Sequence, residues 1–324
     1  MLRWRLILGI LVVAVLAVLC WLDADAERPG IYLVPLALVL APLATSEMSG
    51  LYRQQCDRPP DWILHGGTIL PVLASCMPIF WPAMSTSPVG RLGWLAGGLA
   101  AAILVTLVGH MGRFPSALQE SADPKKSDHS IQGRVIYQLS LSFLAIGYVG
   151  GLLGFIIQLR LLGGGPWGDD GRWGLVAWLS LILVVKLSDI GQYTAGHLWG
   201  GRFFKRRLAP TLSPGKTWEG AVGGMAMAVL GAVLALGPLA RLLGCVDGLS
   251  GASWWGGLLA YGLLVGIAGI CGDLSESMLK RSAGVKDSSH WLPGFGGVLD
   301  LLDSLLVAAP VAYACWLMGL VGPR

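Results

Sequence analysis

The sequence predicts an all-α, polytopic transmembrane helical bundle of about nine spans, with its polar chemistry at the helix ends on one side. Three observations carry this. The chain is 54% hydrophobic and only 13% charged, against roughly 25% charged in a soluble domain, and its mean hydropathy is +0.66. Its charges are clumped into short polar segments between long apolar runs. Most of those runs approach the required length, since about 20 residues rising 1.5 Å each cross a hydrocarbon core of about 30 Å.

The runs are Leu6–Leu22, Ile31–Ala44, Trp62–Met84, Leu92–Val108, Ile136–Ile157, Trp173–Leu187, Ala221–Leu243, Trp254–Cys271 and Leu305–Val321. The first follows Arg3 and Arg5 and precedes Ala24-Asp25-Ala26, a pattern shared with signal peptides. Its apolar core is longer than a usual h-region, so a retained span is expected. The second and sixth runs are short and are expected to extend into their polar flanks or to tilt. The fifth carries Gly147, Gly150, Gly151 and Gly154 at spacings that let helices approach closely. Residues 113–134 form a hydrophilic connector with mixed charge.

This divides the chain into an N-terminal transmembrane scaffold with a cytoplasmic loop, residues 1–135, and a C-terminal transmembrane region, residues 136–324, that holds the longest polar segments. The six cysteines (20, 56, 76, 245, 271 and 315) include no CxxC pair. Small buried thiols are expected, with neither a zinc site nor a disulfide framework.

Orientation follows from charge. With the N-terminus in the cytoplasm and nine spans, roughly three quarters of the 23 Lys and Arg residues fall on the cytoplasmic side. That side receives two long polar segments, 186–220 and 272–303. Asp189, Asp273, Asp300 and Asp303 then lie at three cytoplasmic helix ends. Carboxylates at membrane depth are costly unless paired or coordinated. Asp300 and Asp303, at i and i+3, share one helix face, although an acidic first turn is also what a helix macrodipole favours. With Asp273 and the surrounding Lys, Arg, Ser and Gly, the set suggests a metal–phosphate site, and oxygen ligands of this kind suit Mg²⁺.

Ser213-Pro214-Gly215-Lys216-Thr217 gathers hydroxyls, backbone N–H groups and an ammonium in one turn, a composition suited to a polyphosphate. It is not a Walker A loop, because Pro210 stands where that motif needs glycine and no buried strand precedes it. Gly294-Phe295-Gly296-Gly297 marks a tight backbone, not a dinucleotide fingerprint. His197 and His290 lack metal-ligand spacing. Lys205, Arg206 and Arg207 read as a positive-inside signal or an anionic-lipid contact at least as well as they read as catalytic residues. Trp218 suits interfacial packing better than base stacking.

The residues now resemble a known family. Ser277, Lys280, Arg281, Lys286, Asp287, Pro293-Gly294, Gly296-Gly297, Asp300 and Asp303 look like the C-terminal signature of phosphatidate cytidylyltransferases. Asp189, Tyr193, Gly196, Gly200, Pro210, Ser213-Pro214, Lys216-Thr217 and Glu219-Gly220 are similar to that family's upstream motif. The likeness covers roughly residues 186–306. Two positions depart: Phe295 replaces the family's usual His, and Leu301 its usual Arg.

The resemblance implies transfer of the cytidylyl group of CTP to phosphatidic acid, giving CDP-diacylglycerol and pyrophosphate. It implies that Asp273 and Asp300 hold a divalent metal with Asp303 and Asp189 in support, that Mg²⁺ is the cofactor, and that the site has room for a second, monovalent cation such as K⁺. Asp273, Asp300, Lys280, Arg281 and Lys286 become the catalytic set. Asp189, Ser213, Lys216, Thr217, Ser277, Asp287, Gly296 and Gly297 become the substrate-binding set. The expected setting is the inner cell membrane, multi-pass, with the site facing the cytoplasm. The expected partners are CTP, phosphatidic acid and membrane lipids, with no nucleic acid, and a homodimer is compatible with the sequence. Another lipid nucleotidyltransferase, a lipid kinase or a secondary transporter are the alternatives. The transporter is disfavoured because the acids sit at helix ends and no internal repeat is evident.

Overall fold

The computed structural model of the chain describes residues 2–51, 58–81, 88–121, 131–168, 170–245, 251–285, 288–289 and 296–323. It is built from α-helices: α1 (Leu2–Ala24), α2 (Val34–Leu51), α3 (Asp61–Phe80), α4 (Pro88–Ser121), α5 (Ile131–Ala145), α6 (Leu152–Arg160), α7 (Arg172–Trp199), α8 (Trp218–Leu234), α9 (Ala240–Leu242), α10 (Ala252–Ser282) and α11 (Val298–Leu317). A π-helical segment at Ile146–Gly151 joins α5 to α6, and another at Ala235–Leu239 joins α8 to α9. Among the described residues, eight continuous helices are long and apolar enough to cross a membrane, and the apolar part of α1, Leu8–Ala24, adds a shorter ninth.

Helix ends differ from the ends of the apolar runs, and the difference matters for function. α2 continues past Ala44 to Leu51, because the Thr45 and Ser46 hydroxyls bond back to the carbonyls of Ala41 (2.7 Å) and Pro42 (2.8 Å). Polar residues that satisfy themselves in this way stay helical. α7 runs beyond Leu187 to Trp199, where Gly200 ends it. α10 runs beyond Cys271 to Ser282. Asp189 and Asp273 therefore lie within helices that project past their apolar cores.

Small residues bring these helices together. α7 meets α8 backbone to backbone, with Gly191 against the Gly223 carbonyl. On α10, a Cβ at Gly272 would sit 2.6 Å from the Asp303 carbonyl and 2.9 Å from the Ser304 Cα. Only glycine allows that approach, and it makes Asp273 a neighbour of Asp303. Gly272→Val is expected to push α10 from α11, costing about 1–3 kcal/mol by overpacking. A lower melting temperature in detergent, together with reduced turnover, checks this.

The opposite end is held by charge. Arg160 and Asp23 are both buried and paired. Arg160 also donates to the Gly171 carbonyl (3.0 Å), while Asp23 accepts from the backbone of Tyr32 (2.9 Å). This junction lies about 26 Å along α7 from Asp189, at 1.5 Å per residue. Asp23→Ala leaves Arg160 as a buried unpaired charge, a loss of about 3–5 kcal/mol. Thermal melting is expected to register it, with turnover per folded molecule unchanged.

Cys76, Cys245 and Cys315 are buried. Cys271 is exposed, a departure from the buried thiol expected there.

Candidate active site

On α10, Asp273, Glu276, Ser277 and Lys280 recur at i, i+3, i+4 and i+7, so they line one face. Lys280 reaches from that face to two carboxylates at once, with Nζ 2.7 Å from Glu276 Oε2 and 2.6 Å from Asp300 Oδ1. Glu276 is 1% exposed, and its Oε1 makes no well-aligned hydrogen bond to a described residue.

Asp300 is the third residue of α11. Its Oδ2 accepts from the Gly297 backbone (2.7 Å) and from the Ser288 hydroxyl (2.7 Å). The first two N–H groups of the helix go elsewhere. Val298 N donates to Glu47 Oε1 (2.8 Å) and Leu299 N to Glu47 Oε2 (2.7 Å). Helix N-termini leave such donors unpaired and favour negative charge. Here two carboxylates from different helices meet the need.

A second group of charges lies alongside. Asp273 Oδ2 is 2.8 Å from Lys216 Nζ, and the Ser277 hydroxyl stands 3.5 Å from Asp273 Oδ1. Asp303 is within electrostatic reach of Asp273, Lys186 and Asp189. Lys186 Nζ is 3.6 Å from Asp189 and donates to the Leu301 carbonyl at 3.2 Å. Carboxylates of α7, α10 and α11 are thus neighbours, with lysines between them.

The α7–α8 connection explains how Lys216 arrives there. Leu208 N bonds to the Lys216 carbonyl (3.0 Å), Ser213 N to the Ala209 carbonyl (2.9 Å), and Lys216 N to the Ser213 carbonyl (3.1 Å). This closed turn projects the ammonium toward α10. Thr217 then caps α8 by accepting from Gly220 N (3.0 Å). Glu219 accepts from the amides of Phe203 and Phe204, both at 2.9 Å, and holds the start of the loop. Lys216 Nζ is buried and makes no well-aligned hydrogen bond to a described residue, so it has donors to spare.

A model of the Cytidylyltransferase family matches residues 3–318 of the chain. The chain belongs to this family. A phosphatidate cytidylyltransferase of Brucella suis biovar 1 is 41% identical over 157 residues, covering 48% of this chain and 51% of the relative. One from Haemophilus influenzae is 37% identical over 155 residues, covering 48% and 49%. An uncharacterised Escherichia coli K12 protein, YnbB, is 41% identical over 140 residues, covering 43% and 42%. The matches span close to half the length of these relatives. Together with the eight membrane-length helices, they make this family member a multi-pass membrane protein.

Within the cytidylyltransferase-family chain, the structure brings Asp189, Asp273, Asp303 and Lys216 into one group and Asp300 and Lys280 into an adjoining one. Arg281 follows Lys280 but is exposed at the last turn of α10. Gly296 adopts φ 86°, a left-handed turn ahead of α11. Ser213 and Thr217 have structural roles in the turn and the α8 cap. Lys286, Asp287 and Phe295 lie outside the described residues, as does His290. His197 is exposed and stacked on Tyr193, and Trp218 packs against Phe204.

Three participants were not singled out by sequence. Glu276 was legible in principle, lying one helical turn before Lys280. Lys186 stood at the edge of a motif, but its bond to Leu301 spans 115 residues. Glu47 sits in a span that carried no motif at all.

Proposed function

We propose that the protein transfers the cytidylyl group of CTP to phosphatidic acid, forming CDP-diacylglycerol and releasing pyrophosphate. The observation that carries this reading is the pairing of two carboxylates with two lysines: Asp273 with Lys216, and Asp300 with Lys280. A site for two polyanions needs both partners of each pair. The lysines suit phosphate, and the carboxylates suit a divalent cation.

In the reaction, a phosphate oxygen of phosphatidic acid attacks the α-phosphorus of CTP and pyrophosphate leaves. The attacking oxygen is already anionic, so no general base is required. Catalysis then rests on positioning and charge neutralisation. Lys216 turns from Asp273 toward the triphosphate, and Lys280 offers its ammonium between Glu276 and Asp300. Arg281 is open to solvent, where a nucleotide arrives. Lys186, between Asp189, Asp303 and the Leu301 carbonyl, supplies the cation that position 301 itself lacks.

Among the described residues, no three His, Cys, Asp or Glu side chains form a ready-made metal cage. Mg²⁺ seldom needs one, because it is held through one or two carboxylates together with substrate phosphates and water. Asp273 and Asp303, neighbours across the α10–α11 contact, fit that demand, and Asp189 adds negative charge beside them, while Asp300, its oxygens met by Lys280, Ser288 and Gly297, stands in the adjoining group. When bound, the ion neutralises charge on the triphosphate and the departing pyrophosphate. A monovalent cation such as K⁺ is a second candidate for the same carboxylates.

The positive-inside distribution supports a site facing the cytoplasm, with the chain in the inner membrane. CTP then reaches the site from water and phosphatidic acid from the leaflet. The partners are these two substrates and membrane lipids.

The test uses purified protein in detergent with α-labelled CTP, phosphatidic acid and Mg²⁺. The expected result is label in a CDP-lipid and unlabelled pyrophosphate in solution. Omission of Mg²⁺, or Asp300→Asn, is expected to abolish it. Label transferred only to another acceptor lipid would redirect the reading to a related lipid nucleotidyltransferase, an alternative that the Leu301 and Phe295 departures favour. Transfer of the γ-phosphate to lipid would identify a kinase.

A further inference from the structure

We infer that Glu47, from the second membrane helix, is a positioning residue of the active site that fixes the first turn of α11 and with it Asp300 and Asp303. The inference rests on the cytidylyl-transfer reading and deepens it.

Glu47 is 8% exposed. Both of its carboxylate oxygens are used, one on Val298 N (2.8 Å) and the other on Leu299 N (2.7 Å), with the Ser288 hydroxyl at 3.4 Å. No cation pairs with it among the described residues. A carboxylate this deep is costly unless its oxygens are fully met. Here the positive end of a helix meets them, and the two N–H groups leave the carboxylate one position to occupy.

Gly297 carries the same message from the other side. A Cβ there would overlap Glu47 Oε2 and Ser288 Oγ. The glycine before α11 thus leaves room for a side chain 250 residues away in sequence. Ser288 closes the arrangement, since its hydroxyl bonds to Asp300 Oδ2 (2.7 Å) and approaches Glu47. Glu47, Ser288, Gly297 and Asp300 form one cluster, and Asp300 passes its hold to Lys280.

The cap has a second effect. A helix N-terminus with exposed N–H groups attracts phosphate. Glu47 occupies that end of α11, so a triphosphate gains nothing by binding there and is directed to Lys216 and Arg281.

The test pairs two readouts on Glu47→Gln and Glu47→Ala in the purified full chain. Hydrogen exchange at the start of α11 reads the cap without reference to activity, and both variants are expected to accelerate it there while leaving α7 and α10 unchanged. Steady-state kinetics reads positioning: kcat is expected to fall about 100-fold in Glu47→Ala, the scale on which displaced groups lower turnover. KM for CTP should stay within about twofold, since binding energy kept in the ground state leaves it unchanged. Glu47→Gln, which keeps the shape and one acceptor oxygen, should retain more of kcat than Glu47→Ala. Gly297→Ala should reproduce the Glu47→Ala pattern by displacing the carboxylate. Unchanged exchange at α11, or faster exchange with wild-type kcat, overturns the inference. A wild type that transfers no cytidylyl group defeats the proposed function instead, and the exchange arm still decides whether the cap exists.

Discussion

Asp273→Asn is expected to lower cytidylyl transfer by about 10²–10³-fold while leaving the fold intact, the scale set by removal of one preorganised electrostatic group. The amide keeps the shape of the side chain, its place on α10 and its contact with Ser277. It loses the charge that neutralises Lys216 and that suits a divalent ion. Lys216 is then unopposed and free to hold the triphosphate. KM for CTP should therefore stay level or drop while kcat falls, the signature of losing an interaction needed only at the transition state. Initial rates at saturating lipid, with CTP and Mg²⁺ varied separately, check this. A rise in KM with kcat preserved would assign Asp273 to substrate binding alone.

Lys280→Met is expected to damage stability and turnover together. The ammonium stands 2.7 Å from Glu276 and 2.6 Å from Asp300, and Glu276 is almost fully buried. Removing the cation leaves two facing carboxylates without compensation, costing about 3–5 kcal/mol on the scale of broken buried pairs. Turnover is expected to drop at least about 100-fold, because Asp300 loses the group that fixes one of its oxygens. The double variant Lys280→Met with Glu276→Gln separates the effects. Its melting temperature should recover most of the loss, since the amide can donate to Asp300 in place of the ammonium, while its turnover should not. Recovery of both would make Lys280 a structural pairing residue only.

Much of this arrangement was legible in the sequence because it is local. Asp300 and Asp303 share a face by spacing, and Asp273, Ser277 and Lys280 recur at helical intervals. The closed turn around Lys216 was foreshadowed by its Ser-Pro-Gly composition. Helix ends were less legible, because hydropathy marks where a helix is apolar and not where it stops. Asp189 and Asp273 were placed at span ends, yet α7 continues to Trp199 and α10 to Ser282. The least legible feature was Glu47. Its partners are backbone N–H groups more than 240 residues away, and no side-chain pattern records a backbone donor. Lys186 was hidden for the same reason, since it bonds the carbonyl of Leu301 and not its side chain.

A metal site completed jointly by protein carboxylates and nucleotide is tested most directly by electron paramagnetic resonance of Mn²⁺ titrated into the purified protein. Weak binding by protein alone is expected, with binding at least about tenfold tighter once CTP is present, and no such gain in Asp273→Asn. Equal binding with and without CTP, or an undiminished gain in Asp273→Asn, would contradict it.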